Sequence, residues 1–84
     1  MNDVNKLGRT KWACRRGMLE LDFIFKDFMN SGYEALTNAQ QDDFLIFLVN
    51  SDPDLYSWLM GFRQPSKDDD IKMVAIIRAS QKET

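Results

Sequence analysis

The sequence predicts an all-α fold, a compact single-domain bundle of about five short helices covering residues 1–84. Three observations predict it. Apolar residues recur at spacings of three and four, the helical period, instead of alternating as they would along a strand. Cap and turn residues fall at intervals that suit helices. The balance of 44% hydrophobic and 29% charged residues is that of a chain that packs a core rather than one that stays disordered. We find no repeat, low-complexity tract or linker.

The first helix is expected from Val4 or Asn5 to Arg16, weakened by Gly8 and ended by Gly17, because glycine adopts the left-handed conformation without the steric cost of a β-carbon. The second carries Leu21, Ile24, Phe25 and Phe28 on one face and stops between Asn30 and Gly32. Thr37 and Gln40 have the spacing of a capping box, which starts a third helix with Phe44, Phe47 and Leu48 inward. In the fourth, Asp52 is the expected cap, Pro53 suits the first turn because it lacks an N–H, Leu55, Trp58 and Leu59 face the core, and Gly61 terminates. Ser66 and Asp69 start the fifth. Its Asp68–Asp70 run lies at the positive end of the helix dipole and Arg78 and Lys82 near the negative end, with Met73, Val74 and Ile77 inward.

Composition excludes much chemistry. A chain without histidine lacks the side chain that ordinarily titrates near neutrality, which disfavours acid–base catalysis and, with a single cysteine, leaves no metal site. Cys14 has Arg15 and Arg16 beside it to lower its pKa but no partner base, so a buried, inert thiol is expected. One cysteine forms no internal disulfide, which fits a reducing compartment. The four glycines stand apart, so no phosphate-cradling loop exists, and the densest carboxylate run belongs to a helix start. No apolar run reaches the roughly 18–20 residues of a membrane span and no signal peptide is visible, so the expectation is a soluble, cytoplasmic protein.

Charge is uneven. Lys6, Arg9, Lys11, Arg15 and Arg16 oppose only Asp3 within residues 1–16, a balance of +4, which leaves −6 for the rest of a chain whose net charge is −2. A basic arm on an acidic body steers towards an acidic partner surface, and the acidic body argues against nucleic acid. The stretch "CRRGMLELD" sits where that arm ends. Gly17 reads as a helix stop, with Arg15 and Arg16 at the negative end of one helix and Glu20 at the positive start of the next. It also reads as a place where another backbone can come close, flanked by a planar donor fork and a carboxylate. Trp12, Trp58, Tyr33 and Tyr56 are expected mainly as packing, and the Phe and Met positions as core.

"WACRRGMLELD" at 12–22 and "DPDLYSWLMG" at 52–61 together resemble the two signature stretches of the FAD assembly factor SdhE family, also called the succinate dehydrogenase assembly factor 2 family. The resemblance covers nearly the whole chain. It implies a five-helix cytoplasmic protein that is not an enzyme; a monomer that binds no cofactor stably is expected. Its client would be the flavoprotein subunit of succinate dehydrogenase, and also that of fumarate reductase, to which it promotes covalent attachment of FAD. The arginine-glycine, two residues, glutamate signature makes Arg16, Gly17 and Glu20 the core of the client-binding surface, with Arg15, Met18 and Asp22 as neighbours. Members of this family have an alternative reading as antitoxins that oppose a small membrane-associated toxin.

Overall fold

The computed structural model describes residues 3–81, in which five α-helices and one 3-10 turn account for the regular structure. These are α1 (Asp3–Ala13), α2 (Leu19–Ser31), α3 (Asn38–Phe47), α4 (Asp52–Leu59) and α5 (Asp68–Ser80), with the 3-10 turn at Tyr33–Ala35. Lys82, expected near the end of the last helix, lies outside the described residues.

The core forms where the predicted apolar stripes meet. α2 buries Leu21, Phe25 and Phe28 completely and packs against α4 and α5, while α5 also packs against α3 and α4. Phe44 of α3 is the hub of an aromatic cluster: its ring centroid lies 6.1 Å from Phe25 in an edge-on arrangement, 5.0 Å from Phe28 and 5.9 Å from Tyr33. Offset and edge-on rings match the negative face of one to the positive edge of another, beyond the roughly 1.5–3 kcal/mol that burial of each large apolar side chain contributes. Leu55, Trp58, Leu59, Met73, Val74 and Ile77 complete the core as expected.

Helix ends confirm some of the sequence reading and correct the rest. The Thr37 hydroxyl accepts from the Gln40 amide at 3.1 Å while the Gln40 side chain accepts from the Thr37 amide at 2.9 Å, a complete capping box. Gly61, at φ 82°, ends α4: its amide donates to the Trp58 carbonyl and the Phe62 amide to the Ser57 carbonyl, the paired bonds of a Schellman turn. Three expectations fail. α1 stops at Ala13 instead of running to Arg16, and Gly17 does not have positive φ, so it is not a left-handed helix stop. The cap of α4 is Ser51, whose hydroxyl accepts from the Asp54 amide, because Asp52 is engaged by Arg16. Lys67 occupies the N-cap position of α5 in place of Ser66 and supplies no side-chain bond, although the three aspartates still lie in the first turn.

Candidate partner-binding surface

Between α1 and α2 runs a short non-helical connection, and its conformation is set by one side chain. The Arg16 guanidinium turns inward. Its Nε donates to Asp52 Oδ1 at 2.7 Å, Nη1 to the carbonyls of Ala13 and Leu48 at 2.9 Å each, and Nη2 to the Asn50 carbonyl at 3.0 Å. Ala13 is the last residue of α1 and Leu48 the C-cap of α3, so the cation sits where two helices leave carbonyls unpaired and their dipoles are negative. Asp52, in the first turn of α4, adds a full negative charge. A planar fork can serve acceptors from three segments at once; a point charge on a flexible stem cannot. The Arg16 side chain is accordingly only 14% exposed.

Because Arg16 is held inside, its neighbours are displayed. Arg15, Gly17, Leu19 and Glu20 are exposed, while Met18 packs half-buried against the core and Asp22 is half-buried, its carboxylate accepting from the Arg16 amide at 3.4 Å. A β-carbon built on Gly17 meets nothing within 4 Å. The free protein therefore has no internal need for glycine there, neither of conformation nor of space. Arg15 lies over the Trp12 ring, 5.5 Å from its centroid, a cation–π contact on a tryptophan that is 73% exposed. The expectation that Trp12 packs inward is thus corrected, as it is for Phe23, 61% exposed, and Phe62 on the α4–α5 connection.

Of the six residues singled out from the sequence, the loop presents Arg15, Gly17 and Glu20 to solvent and folds Arg16, Met18 and Asp22 against the protein. Sequence reasoning missed Trp12, Leu19 and Phe23 as surface. Leu19 and Phe23 lie four apart on one face of α2, and Phe23 is two residues from both Leu21 and Phe25, about 200° around the helix. That offset was the available signal. It also missed Ile46 and Val49, both exposed around the end of α3.

Beside this surface a cleft of about 410 Å³ has Lys11, Arg15 and Lys26 on its walls, with Asp22 and the buried Cys14. Burial pushes the Cys14 thiol from its ordinary 9.0 up to about 12; the Arg16 charge lowers it in part and Asp22 adds to the rise. Cys14 is therefore a protonated packing group, as the sequence suggested. No cluster of three potential metal ligands occurs among the described residues, and none of their helices is long and apolar enough to cross a membrane.

Comparison with known proteins is consistent along the chain. A family model described as flavinator of succinate dehydrogenase matches residues 8–81. Proteins named FAD assembly factor SdhE are similar to it: that of Vibrio cholerae is 48% identical over 61 residues, 73% of this chain and 71% of its own. That of Pectobacterium atrosepticum is 37% identical over 82 residues, 96% of this chain and 92% of its own. The solution structure of a UPF0350 protein superposes with a TM-score of 0.77 at 42% identity, covering 94% of this chain and 84% of that one.

Proposed function

Since this chain belongs to the family of flavinators of succinate dehydrogenase, we propose that it is an assembly factor that docks on the flavoprotein subunit of succinate dehydrogenase and promotes covalent attachment of FAD to it. The flavoprotein subunit of fumarate reductase is a second client on the same chemistry. The flavin and the residue that receives it belong to the client, and this chain holds no FAD of its own. The docking takes place in the cytoplasm, with the factor acting as a monomer.

The observation that carries this reading is the inward Arg16, which fixes a connection whose neighbours Trp12, Arg15, Gly17, Leu19 and Glu20 are exposed without any internal task for Gly17. Such a surface combines an aromatic anchor, a paired cation and a bare backbone, the ingredients of protein recognition. An assembly factor of this kind acts by binding. It stabilises the client conformation in which flavin and acceptor meet, and it can shift that equilibrium only by the difference in its affinity for the two client states. Arg16, Met18 and Asp22 shape the surface from beneath, whereas Arg15, Gly17 and Glu20 touch the client.

The test is covalent flavin fluorescence of the flavoprotein band on a denaturing gel, in cells lacking this chain and complemented with wild type or Glu20→Ala. Glu20 is exposed and makes no side-chain bond among the described residues, so its loss leaves the fold intact. We expect fluorescence with wild type and little with the variant. Equal signal in every lane would refute the assembly role.

A further inference from the structure

The second signature stretch, "DPDLYSWLMG", is not used by the surface just described apart from Asp52, and it builds a different feature. We propose that the cleft between the turn after α4 and helix α5 is a second docking site, which takes an acidic side chain lying beside an apolar residue on a segment of a partner protein.

The cleft, about 460 Å³, has Trp58, Phe62, Pro65 and Val74 as apolar walls and Arg63 and Arg78 as its charged groups. No carboxylate lines it, although residues 17–84 as a whole carry −6. Arg63 is already paired with Asp54 at 2.6 Å, whereas Arg78 makes no ion pair among the described residues. Its guanidinium rests on the turn: Nη1 would lie 3.2 Å and Nη2 3.5 Å from a β-carbon at Gly61. The absence of that atom, at a position whose φ of 82° already favours glycine, lets the fork settle against the turn, its donors without a side-chain hydrogen bond or ion pair among the described residues.

A second observation is independent of Arg78. Trp58 is 8% exposed, and its Nε1 is a buried donor without a hydrogen-bond partner. Buried donors are nearly always paired, so an indole N–H without a partner, on a residue that lines the cleft, is a sensitive reporter of any acceptor drawn there. A carboxylate gripped by the Arg78 fork brings an acceptor to the wall that holds this indole. Phe62, 69% exposed at the rim, supplies apolar contact for the neighbouring residue of the segment. Charge complementarity therefore selects the occupant: a cleft lined by no carboxylate, with Arg78 as its unpaired cation among the described residues, attracts a carboxylate more strongly than a neutral polar group and repels a basic one.

The test needs no flavoprotein client, so its failure and that of the assembly reading are separable. The full chain, labelled with ¹⁵N, is titrated with N-acetyl-Glu-Phe-amide while the two tryptophan indole signals are followed by NMR; a Trp12→Phe variant assigns them. We expect the Trp58 signal to shift saturably while that of Trp12 stays in place. N-acetyl-Gln-Phe-amide should bind at least about tenfold more weakly, as should the Glu peptide to an Arg78→Gln variant, since a charge-assisted fork contact is lost in each case. Arg78 is exposed and makes no side-chain hydrogen bond among the described residues, so this variant keeps the fold. Equal shifts from the Glu and Gln peptides, or none, overturn the proposal. A shift with N-acetyl-phenylalanine equal to that with the Glu peptide overturns the side-chain assignment in favour of a chain terminus.

Discussion

Replacing Arg16 by alanine should destabilise the whole domain, even though the residue stands in what reads as a surface signature. Four contacts disappear together: the 2.7 Å ion pair to Asp52 and the bonds to the Ala13, Leu48 and Asn50 carbonyls. Hydrogen bonds to charged groups contribute about 1.5–3 kcal/mol each, but such contributions do not sum when they share one donor group. The Asp52 side chain is 27% exposed, so water will rehydrate part of what Arg16 leaves behind. Removing one partner of a fully buried pair costs about 3–5 kcal/mol, and the partial exposure here lowers that to roughly 2–4 kcal/mol. For a domain of 84 residues the total stability is on the order of 4–12 kcal/mol. The melting temperature should fall by roughly 10–25 °C, at about 4–8 °C per kcal/mol in domains of this size.

Thermal and urea unfolding followed by far-ultraviolet circular dichroism measure the effect. Arg16→Lys should recover less than half of the loss, because one ammonium cannot reach acceptors contributed by three segments. In the double variant with Asp52→Ala, the two losses should fall short of additivity by about 1 kcal/mol or more. An Arg16→Ala protein that melts within about 2 °C of wild type would sink the claim that this guanidinium organises the connection.

Other outcomes follow from individual positions. Gly17→Leu should unfold within about 0.5 kcal/mol of wild type, since open space surrounds the glycine, yet bind purified flavoprotein subunit at least about tenfold more weakly; unchanged affinity by titration calorimetry would remove Gly17 from the interface. Gly32→Ala should cost about 1–3 kcal/mol in urea unfolding, because its β-carbon would fall 2.6 Å and 2.8 Å from ring atoms of the fully buried Phe28; a neutral result would mean that ring can move. Cys14 has its pKa raised by folding, so the folded state keeps the proton longer than the unfolded chain. Its contribution is whole below pH 9 and is lost as pH rises to about 12, at most about 4 kcal/mol. Stability of wild type minus that of Cys14→Ala should therefore decline over that window, and a flat difference would show the thiol to be readily ionised in place.

The sequence made the middle of each helix legible and left the joints obscure, for a physical reason. Leu21, Phe25 and Phe28, or Phe44 and Phe47, declare their face through a local period that tertiary structure merely uses. Thr37 with Gln40, and Gly61, are legible because capping is settled within a few residues. The end of α1 and the cap of α4 are not local matters. Ser51 and Asp52 are both competent caps, and what decides between them is Arg16, some 36 positions earlier in the chain. The same contact settles which of Arg15 and Arg16 faces outward, a choice that two adjacent arginines do not encode by themselves. Trp12 and Phe23 were misassigned to packing because size and apolarity argue for burial in general, and only their angular position on a finished helix argues otherwise.

That three of the four acceptors for Arg16 come from residues 48–52 bears on any attempt to imitate this protein with a fragment. A synthetic peptide copied from residues 9–26 would contain every exposed side chain of the first signature, including Trp12, Arg15, Leu19 and Glu20, together with the adjacent Phe23. It would lack the α3–α4 corner that pulls the guanidinium inward, and helices this short are marginal in water by themselves. A competitor meant to mimic the surface has to replace that corner, either with a staple joining the segment's two halves where the guanidinium now holds them or by grafting both signature stretches onto a scaffold that supplies the two inward carbonyls now contributed by Leu48 and Asn50. The smallest faithful copy of this recognition element is thus discontinuous in sequence.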